Sequence, residues 1–345
     1  MSPGGRDDTI PAELEKSCAE EPIHLLGTVQ SYGFSMVVDV ASMVIVQVSA
    51  GIVTHWPGLQ DGAALLSRPL SDWAVAVEAG DPLDIAALPT SRLVVLPWRP
   101  RFEQTCAAAA EPVALAWECL GHRVGAVAVL EWLPVNISKD EQLRQHHIFS
   151  NFTEIIARLR RAEGLDAFFR ECAKVIQEVS AFDRVMIYRF LDDGCGEVVA
   201  EHTGADYQQK FLGLRFPASD IPSQARALYL TNTLRVLADV EASMDRMLPP
   251  HLPNGQLLDQ SHCLLRGLSP VHLSYLRNMG VRATMTLSIV CEGKLWGLIA
   301  CHHHRPRTPP EQIREGMRQL SELLAEIANM RIEALSNLEA VRHRL

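Results

Sequence analysis

LRGLSPVHLSYLRNMGVRATMTLSIVCEGKLWGLIACHH, residues 265–303, sets a helix start, two strands and several polar side chains in one apolar stretch. RATMTLSIV (282–290) and KLWGLIACHH (294–303) are rich in β-branched and apolar residues, and Glu292-Gly293 between them is a two-residue hairpin signal. Arg266, His272, Tyr275 and His302 lie among apolar neighbours, where a polar group must find a partner. The partners are each other, or a ligand that offers carboxylates and ring nitrogens. Upstream, FPASDIPSQARALY (216–229) reads as a helix that begins near Pro222, with Ser219 or Asp220 as its cap.

Outward from these segments the pattern is α+β. A helix over Leu165 to Val179 leads into the strands RVMIYRF (184–190) and GEVVAEH (196–202), joined by the turn Asp192-Asp193-Gly194, so strands flank a helical middle. Before them, Asn136 to Gly164 predicts a long linking helix with a Ser138 cap and Ile148, Phe152, Ile155, Ile156 and Leu159 at helical spacing. Earlier still, FSMVVDV, MVIVQVSA, RLVVLPW and VGAVAVLEWL are short apolar runs between turn-like segments and predict a first antiparallel sheet. The first 20 or so residues, with Pro3, Gly4, Gly5 and Pro11, form an arm without its own core. After Pro309 and Pro310, the stripe Ile313, Met317, Leu320, Leu324 and Ile327 predicts a closing helix, for which intradomain packing is the ordinary use and a dimer seam the other. The expected divisions are an arm at 1–22, domains at 23–135 and 136–308, and a connecting helix at 309–345.

The chain has 345 residues, enough for two domains at about 150 residues each. Hydrophobic residues make up 48% and charged residues 21%, which supports packed cores, and a net charge of -9 with scattered basic residues argues against nucleic-acid binding. The N-terminus carries acidic residues where a signal peptide would be basic, and the apolar stretch from Tyr32 to Trp56 is interrupted by polar residues, so it reads as sheet and not as a membrane span. The eight cysteines form no CxxC pair, which fits a reducing cytoplasm. In the run Cys301-His302-His303-His304, alternate strand residues point to opposite faces, so the four side chains are not expected to converge on a metal.

The segments 216–229 and 265–303 resemble the chromophore-pocket motifs of bacterial phytochromes, and CAEEPIHLLGTVQSYG (18–33) resembles that family's N-terminal motif. The resemblance implies a PAS domain at 23–135 followed by a GAF domain at 136–308 that encloses a bilin, with the arm threaded through a GAF loop in a knot-like crossing. It implies a thioether from Cys18 to biliverdin IXα. By the same resemblance the Asp220 backbone and carboxylate serve different parts of the chromophore, His272 stacks near ring C, and His302 donates to the ring D carbonyl. Arg235 and Arg266 match the propionate partners, a role that suits the guanidinium fork. Thr284 and Thr286 supply hydroxyls to the second propionate. Tyr188, Phe216 and Tyr275 match aromatic residues around ring D, and Ile221, Pro222, Tyr229 and Ser269 fall within the matched pocket motifs.

Two departures stand out. Gln30-Ser31-Tyr32-Gly33 replaces the Gln-Pro-His-Gly of many relatives, and Val271 stands where plant phytochromes carry their attachment cysteine, which favours biliverdin over phycocyanobilin. Cys263 is a second candidate nucleophile, though a buried thiol is ordinarily inert. The family's PHY domain and histidine kinase have no room after His304, so the chain reads as a fragment or part of an assembly, with a homodimer through the GAF and C-terminal helices expected. Incomplete contact with ring D is then expected to favour fluorescence or partial photoconversion. Read singly, each site residue has an ordinary alternative: a mobile thiol at Cys18, a helix cap at Asp220, surface or paired charges at Arg235 and Arg266, a satisfied core histidine at His272. A tetrapyrrole-processing enzyme with Asp220 and His272 as acid and base is disfavoured by the absence of a dinucleotide loop, a kinase nucleotide motif or a metal cluster in the sequence. A ligandless PAS–GAF interaction module remains the alternative.

Overall fold

Asp39 to Ile45 is a tight turn between apolar runs, and it folds FSMVVD back on IVQVS as the centre of the first sheet. In the computed structural model, which describes residues 21–56, 58–77, 84–101, 116–135, 143, 146–148, 150–204, 210–307 and 315–342, these are β2 (Phe34–Asp39) and β3 (Ile45–Ser49). With β1 (Thr28–Gln30), β5 (Val94–Leu96), β7 (Ala116–Val124), β8 (Val127–Val135) and β13 (Met244–Leu248) they form a seven-stranded sheet of order β1-β13-β3-β2-β8-β7-β5. A separate two-stranded ribbon pairs β4 (Ala74–Ala76) with β6 (Trp98–Pro100). Phe34, Met36, Ile45, Val48, Leu130 and Trp132 fill this domain's core, together with the single helical turn α1 (Ile52–His55). The run VGAVAVLEWL is not one strand, because Gly125 takes a positive φ of 58° and turns the chain between β7 and β8.

One strand of the first sheet comes from the second half of the chain. A loop leaves β12 (Leu234–Leu237), contributes β13 between β1 and β3, and returns before α5 (Pro270–Asn278). Residues 21–30 run between its two limbs. On one side β1 pairs antiparallel with β13, and the Met247 amide donates to the Gly27 carbonyl at 2.9 Å. On the other side the amides of Gln260, Gly267 and Gln30 bond to His24, Thr28 and Leu265 carbonyls at 2.9, 2.8 and 2.7 Å. Gln260 adds its side chain, accepting from the Gly27 amide at 3.0 Å and donating to the Thr28 carbonyl at 3.1 Å. Gly267 is required for this closeness, since a β-carbon there would lie 2.1 Å from the Thr28 hydroxyl oxygen. One strand from beyond the boundary expected at residue 136, β13, therefore belongs to the first sheet.

The second sheet has six strands in the order β11-β10-β9-β15-β14-β12: β9 (Arg184–Phe190), β10 (Gly196–Thr203), β11 (Arg215–Phe216), β12, β14 (Ala283–Cys291) and β15 (Lys294–His303). Alternation divides it sharply. Val185, Ile187, Met285, Leu287, Ile299 and Cys301 face a core shared with α3 (Leu165–Ser180) and α6 (Glu315–Arg342), whereas Met186, Tyr188, Leu298 and Ala300 face the other way. The stripe on α6 buries Leu320 and Leu324 in that core, which is the packing use of an amphipathic helix. Met317 and Ile313 have side chains outside the described residues. The linking segment is helical at 143, 146–148 and 150 and again over α2 (Phe152–Arg161), with a turn at Asn151, whose side chain donates to the His147 carbonyl at 2.8 Å, a local bond that competes with helix continuation. Ser138 lies outside the described residues. Among the described residues no helix is long and apolar enough to cross a membrane.

Candidate functional site

On the side of the second sheet away from α3 and α6, two short helices wall a cleft. It holds about 1180 Å³ of empty space, part of it continuous with solvent, between the Ala218–Asp220 turn, α4 (Ser223–Thr231), α5 and the N-terminal residues Ile23 and Leu26. Of the residues singled out in the sequence, Asp220, Ile221, Pro222, Tyr229, Arg235, Arg266, Ser269, His272 and Tyr275 line it. Leu26, Leu228, Leu234, Leu268 and Val271 add apolar wall.

The local chemistry follows from how each helix starts. α5 begins at Pro270, whose missing amide costs nothing at that position, and the Ser269 hydroxyl caps it by accepting from the Val271 amide at 3.3 Å. His272 and Tyr275 then stand one turn apart on the same side, their rings near parallel at 14° with centroids 6.3 Å apart. The other helix differs from expectation. Neither Ser219 nor Asp220 caps α4, because the N-cap is Pro222, with no side-chain cap bond, while Ala218–Asp220 forms its own tight turn. That frees the Asp220 carboxylate for the cleft, where it accepts from the Tyr275 hydroxyl at 3.0 Å. Arg226 holds the turn in place, bonding to the Ile221 carbonyl at 2.7 Å and the Gly194 carbonyl at 2.6 Å, with its guanidinium 4.3 Å over the Phe190 ring.

Two guanidiniums meet at the opposite wall. Arg235 donates to the carbonyls of Arg266 and Gly267, the latter at 2.9 Å, and Arg266 donates to the Ile23 carbonyl at 3.0 Å while its Nε finds no partner among the described residues. Burial first, and then the charge of Arg266, lowers the Arg235 pKa to about 9, and burial lowers that of Arg266. Two crowded, partly desolvated cations whose hydrogen bonds among the described residues go to backbone carbonyls are suited to an anion. His272 is exposed, but its exposure is to the cleft; the surrounding protein, followed by Arg235, lowers its pKa to about 4, so it is neutral near pH 7.

The remaining sequence candidates lie around the cleft and not on its lining. Tyr188 packs against Phe190 and Phe216, with ring centroids 5.4 and 6.1 Å away, and burial followed by Asp220 raises its pKa to about 12. Thr286 hydrogen-bonds the Tyr229 phenol, and Ser288 donates to the Tyr229 backbone carbonyl at 2.6 Å, so strand hydroxyls hold both the ring and the backbone of this residue. Thr284 pairs across strands with His302, which is 9% exposed and whose pKa falls to about 3 through burial and then Arg184. Cys18 lies outside the described residues. Cys263 is buried, and desolvation, followed by Glu131, raises its thiol pKa, as befits an inert thiol.

Two supporting roles, those of Gln30 and Glu131, escaped the sequence reading. Gln30 donates to the Val236 carbonyl at 2.9 Å and accepts from the Ala238 amide at 3.1 Å, tying β1 to the strand that carries Arg235. Glu131, fully buried, accepts from the Leu264 and Leu265 amides at 2.8 and 2.6 Å and so fixes the chain that leads into Arg266. A lone acid inside VGAVAVLEWL was the available signal, since buried acids are rare without partners.

Comparison with known proteins identifies the family and the fold. The GAF domain family matches residues 164–332. The chain is 32% identical over 348 residues to cyanobacterial phytochrome B of Nostoc sp., covering 98% of this chain and 43% of that protein. It is 36% identical over 339 residues to a bacteriophytochrome of Xanthomonas campestris pv. campestris, covering 96% and 50% respectively. The crystal structure of the chromophore-binding domain of an unusual bacteriophytochrome from R. palustris superposes with a TM-score of 0.78 at 31% identity, covering 94% of this chain and 99% of that one. The chain spans about half the length of the curated relatives it matches.

Proposed function

Because the chain belongs to the bacteriophytochrome family and corresponds to its PAS–GAF chromophore-binding region, we propose that it is a photosensory module that binds biliverdin IXα through a thioether to Cys18. The observation that carries this reading is the cleft itself: an apolar slot with Arg235 and Arg266 at one wall and the Asp220–Tyr275 pair and His272 at the other. A linear tetrapyrrole presents carboxylates, pyrrole N–H groups and a long apolar edge, and each has a counterpart there. The bilin supplies light absorption and Z/E isomerisation of its ring D. Arg235 and Arg266 would hold the propionates, whose charge offsets the desolvation and, after it, the mutual repulsion that depress Arg235. Neutral His272 and His302 serve as hydrogen-bonding groups that do not add charge near neutral pH. Tyr188, Phe216 and the Thr284 and Thr286 hydroxyls act one layer behind. By the family resemblance a PHY domain and a kinase would act downstream of this region, and the exposed Leu323, Met330 and Leu338 on α6 suit a homodimer contact that carries the light signal onward.

The test is an absorbance spectrum of the purified chain after addition of biliverdin, followed by zinc-stained denaturing electrophoresis. A sharp red band and a fluorescent protein band are expected, and Cys18→Ser is expected to retain colour in the native state but release the bilin on denaturation. A chain that stays colourless in excess biliverdin would overturn the reading in favour of a ligandless interaction module. Covalent retention in Cys18→Ser would overturn the attachment site alone.

A further inference from the structure

The other face of the second sheet carries a cluster that the chromophore site does not use. β15 pairs with β9 so that His302 lies opposite Arg184, which sets Asp183, the residue just before β9, beside His303. Within the strand, alternation sends His302 toward the cleft side and His303 toward the helices, where it meets the Phe182 ring at 5.9 Å. The strand ends at His303, so alternation no longer governs His304. The His304 amide donates to the Asp183 Oδ2 at 2.9 Å, and this bond turns His304 to the side of His303. The expectation that successive histidines cannot converge thus holds inside the strand and fails at its last residue.

The result is three ligand-type side chains around one point. The Nδ1 of His303 lies 2.7 Å from Asp183 Oδ2, and the Nδ1 of His304 contacts the same oxygen. One ligand atom from each residue lies within 4.8 Å of the others, and the two imidazole centroids are 5.3 Å apart. The His303 contact lacks hydrogen-bond geometry, so its Nδ1 is buried beside a carboxylate without being satisfied by it. Ligand atoms around a tetrahedral Zn²⁺, each at about 2.0–2.1 Å from the ion, stand roughly 3.3 Å apart. A modest outward movement of the rings opens that space.

We propose that Asp183, His303 and His304 form a binding site for one divalent transition-metal ion of the imidazole-preferring class, such as Zn²⁺, with its remaining positions open to solvent. The chemistry of the neighbours selects this class. Arg305 and Arg307 act electrostatically on His303, which disfavours hard cations such as Ca²⁺ or Mg²⁺ that are held by charge and oxygen alone. Arg307 is occupied elsewhere, donating to the Ala181 carbonyl with its guanidinium 4.6 Å over the Phe182 ring. Access is direct, since the His304 side chain is 47% exposed. The site is independent of bilin binding, because it lies on the opposite face of the sheet from the cleft.

Calorimetric titration of the bilin-free, untagged chain with ZnCl₂ tests it. One equivalent is expected to bind, and His304→Ala and Asp183→Asn are each expected to weaken binding by about tenfold or more, with far-UV circular dichroism unchanged in His304→Ala because that side chain is exposed. The same stoichiometry is expected after the cysteines are blocked with N-ethylmaleimide. Absence of binding at micromolar Zn²⁺, binding indifferent to both substitutions, or binding abolished by the thiol block would each overturn the proposal.

Discussion

The two faces of the second sheet are built from the same strands and have opposite characters. Toward α3 and α6, Val185, Ile187, Met285, Leu287, Ile299 and Cys301 are buried and apolar, and the face is closed by helices. Toward the cleft, the alternate positions include Arg184, Glu201, Thr284, Thr286, Ser288 and His302, whose polar groups are drawn into pairs and networks. One face is held by close packing, and the other keeps polar groups aligned around a space that it does not fill. The lesson is that a single strand such as RVMIYRF serves stability and function at once, on a period of two.

The largest effect is expected where the polar face borrows from the interior. Arg184 and Glu201 form an ion pair at 3.0 Å with side chains 1% and 3% exposed, and Glu201 also accepts from the Phe211 and Leu212 amides at 2.9 and 3.0 Å. Glu201→Ala removes the carboxylate paired with a buried guanidinium and should destabilise the chain by about 3–5 kcal/mol in urea unfolding. A loss below about 1 kcal/mol would show that water reaches Arg184 and that the cleft face is not sealed there. On the closed face, Ile187→Ala should cost about 2–5 kcal/mol through lost burial and a residual cavity. Its bilin-bound spectrum, per folded molecule, should be unchanged. A shifted band in that variant would show that the two faces are mechanically coupled and not merely back to back.

How much of this the sequence discloses depends on the range of the interaction. The strands 184–190 and 294–303 match the structure to the residue, because period-two patterning and the Glu292-Gly293 turn are local signals. The grouping of Asp220, Arg235, Arg266, His272 and Tyr275 on one cleft followed from motif resemblance; no local rule brings residues from a turn, a strand and a helix together. The insertion of β13 into the first sheet is invisible in MDRML, which lacks clean alternation, since its partners lie about two hundred residues earlier. The cap reading of Asp220 failed because Pro222 already begins the helix and Tyr275, distant in sequence, claims the carboxylate.

An intermediate effect concerns pH. In the folded chain desolvation by the walls of the cleft, and then Arg235, depress the His272 pKa to about 4, against about 6.5 when unfolded. The unfolded state therefore takes up the proton first, so the contribution is present above pH of about 6.5 and is lost as pH falls toward about 4. His272→Asn in the bilin-free chain should flatten the decline of the melting temperature across that window. The effect should be smaller than the two above, because the ring meets water in the cleft. An identical pH profile in the variant would place His272 in free exchange with solvent and remove it from the polar network.

The smallest effect probes the most local contact. Tyr275 donates to the Asp220 carboxylate at 3.0 Å, and burial, followed by Asp220 itself, pushes the phenol pKa upward, so the hydroxyl stays protonated and remains a donor across the working pH range. Tyr275→Phe keeps the ring that stands parallel to His272 and removes only that bond, at a cost of about 1 kcal/mol in unfolding free energy. The informative readout is optical. With bilin bound, an Asp220 carboxylate released from Tyr275 changes the electrostatic environment of the chromophore, so the absorption band should move while the covalently held fraction stays the same. A variant that loses stability but keeps its spectrum would assign the pair to bracing α5 against the Ala218–Asp220 turn, and would shift the polar face's optical control to His272 and the two arginines.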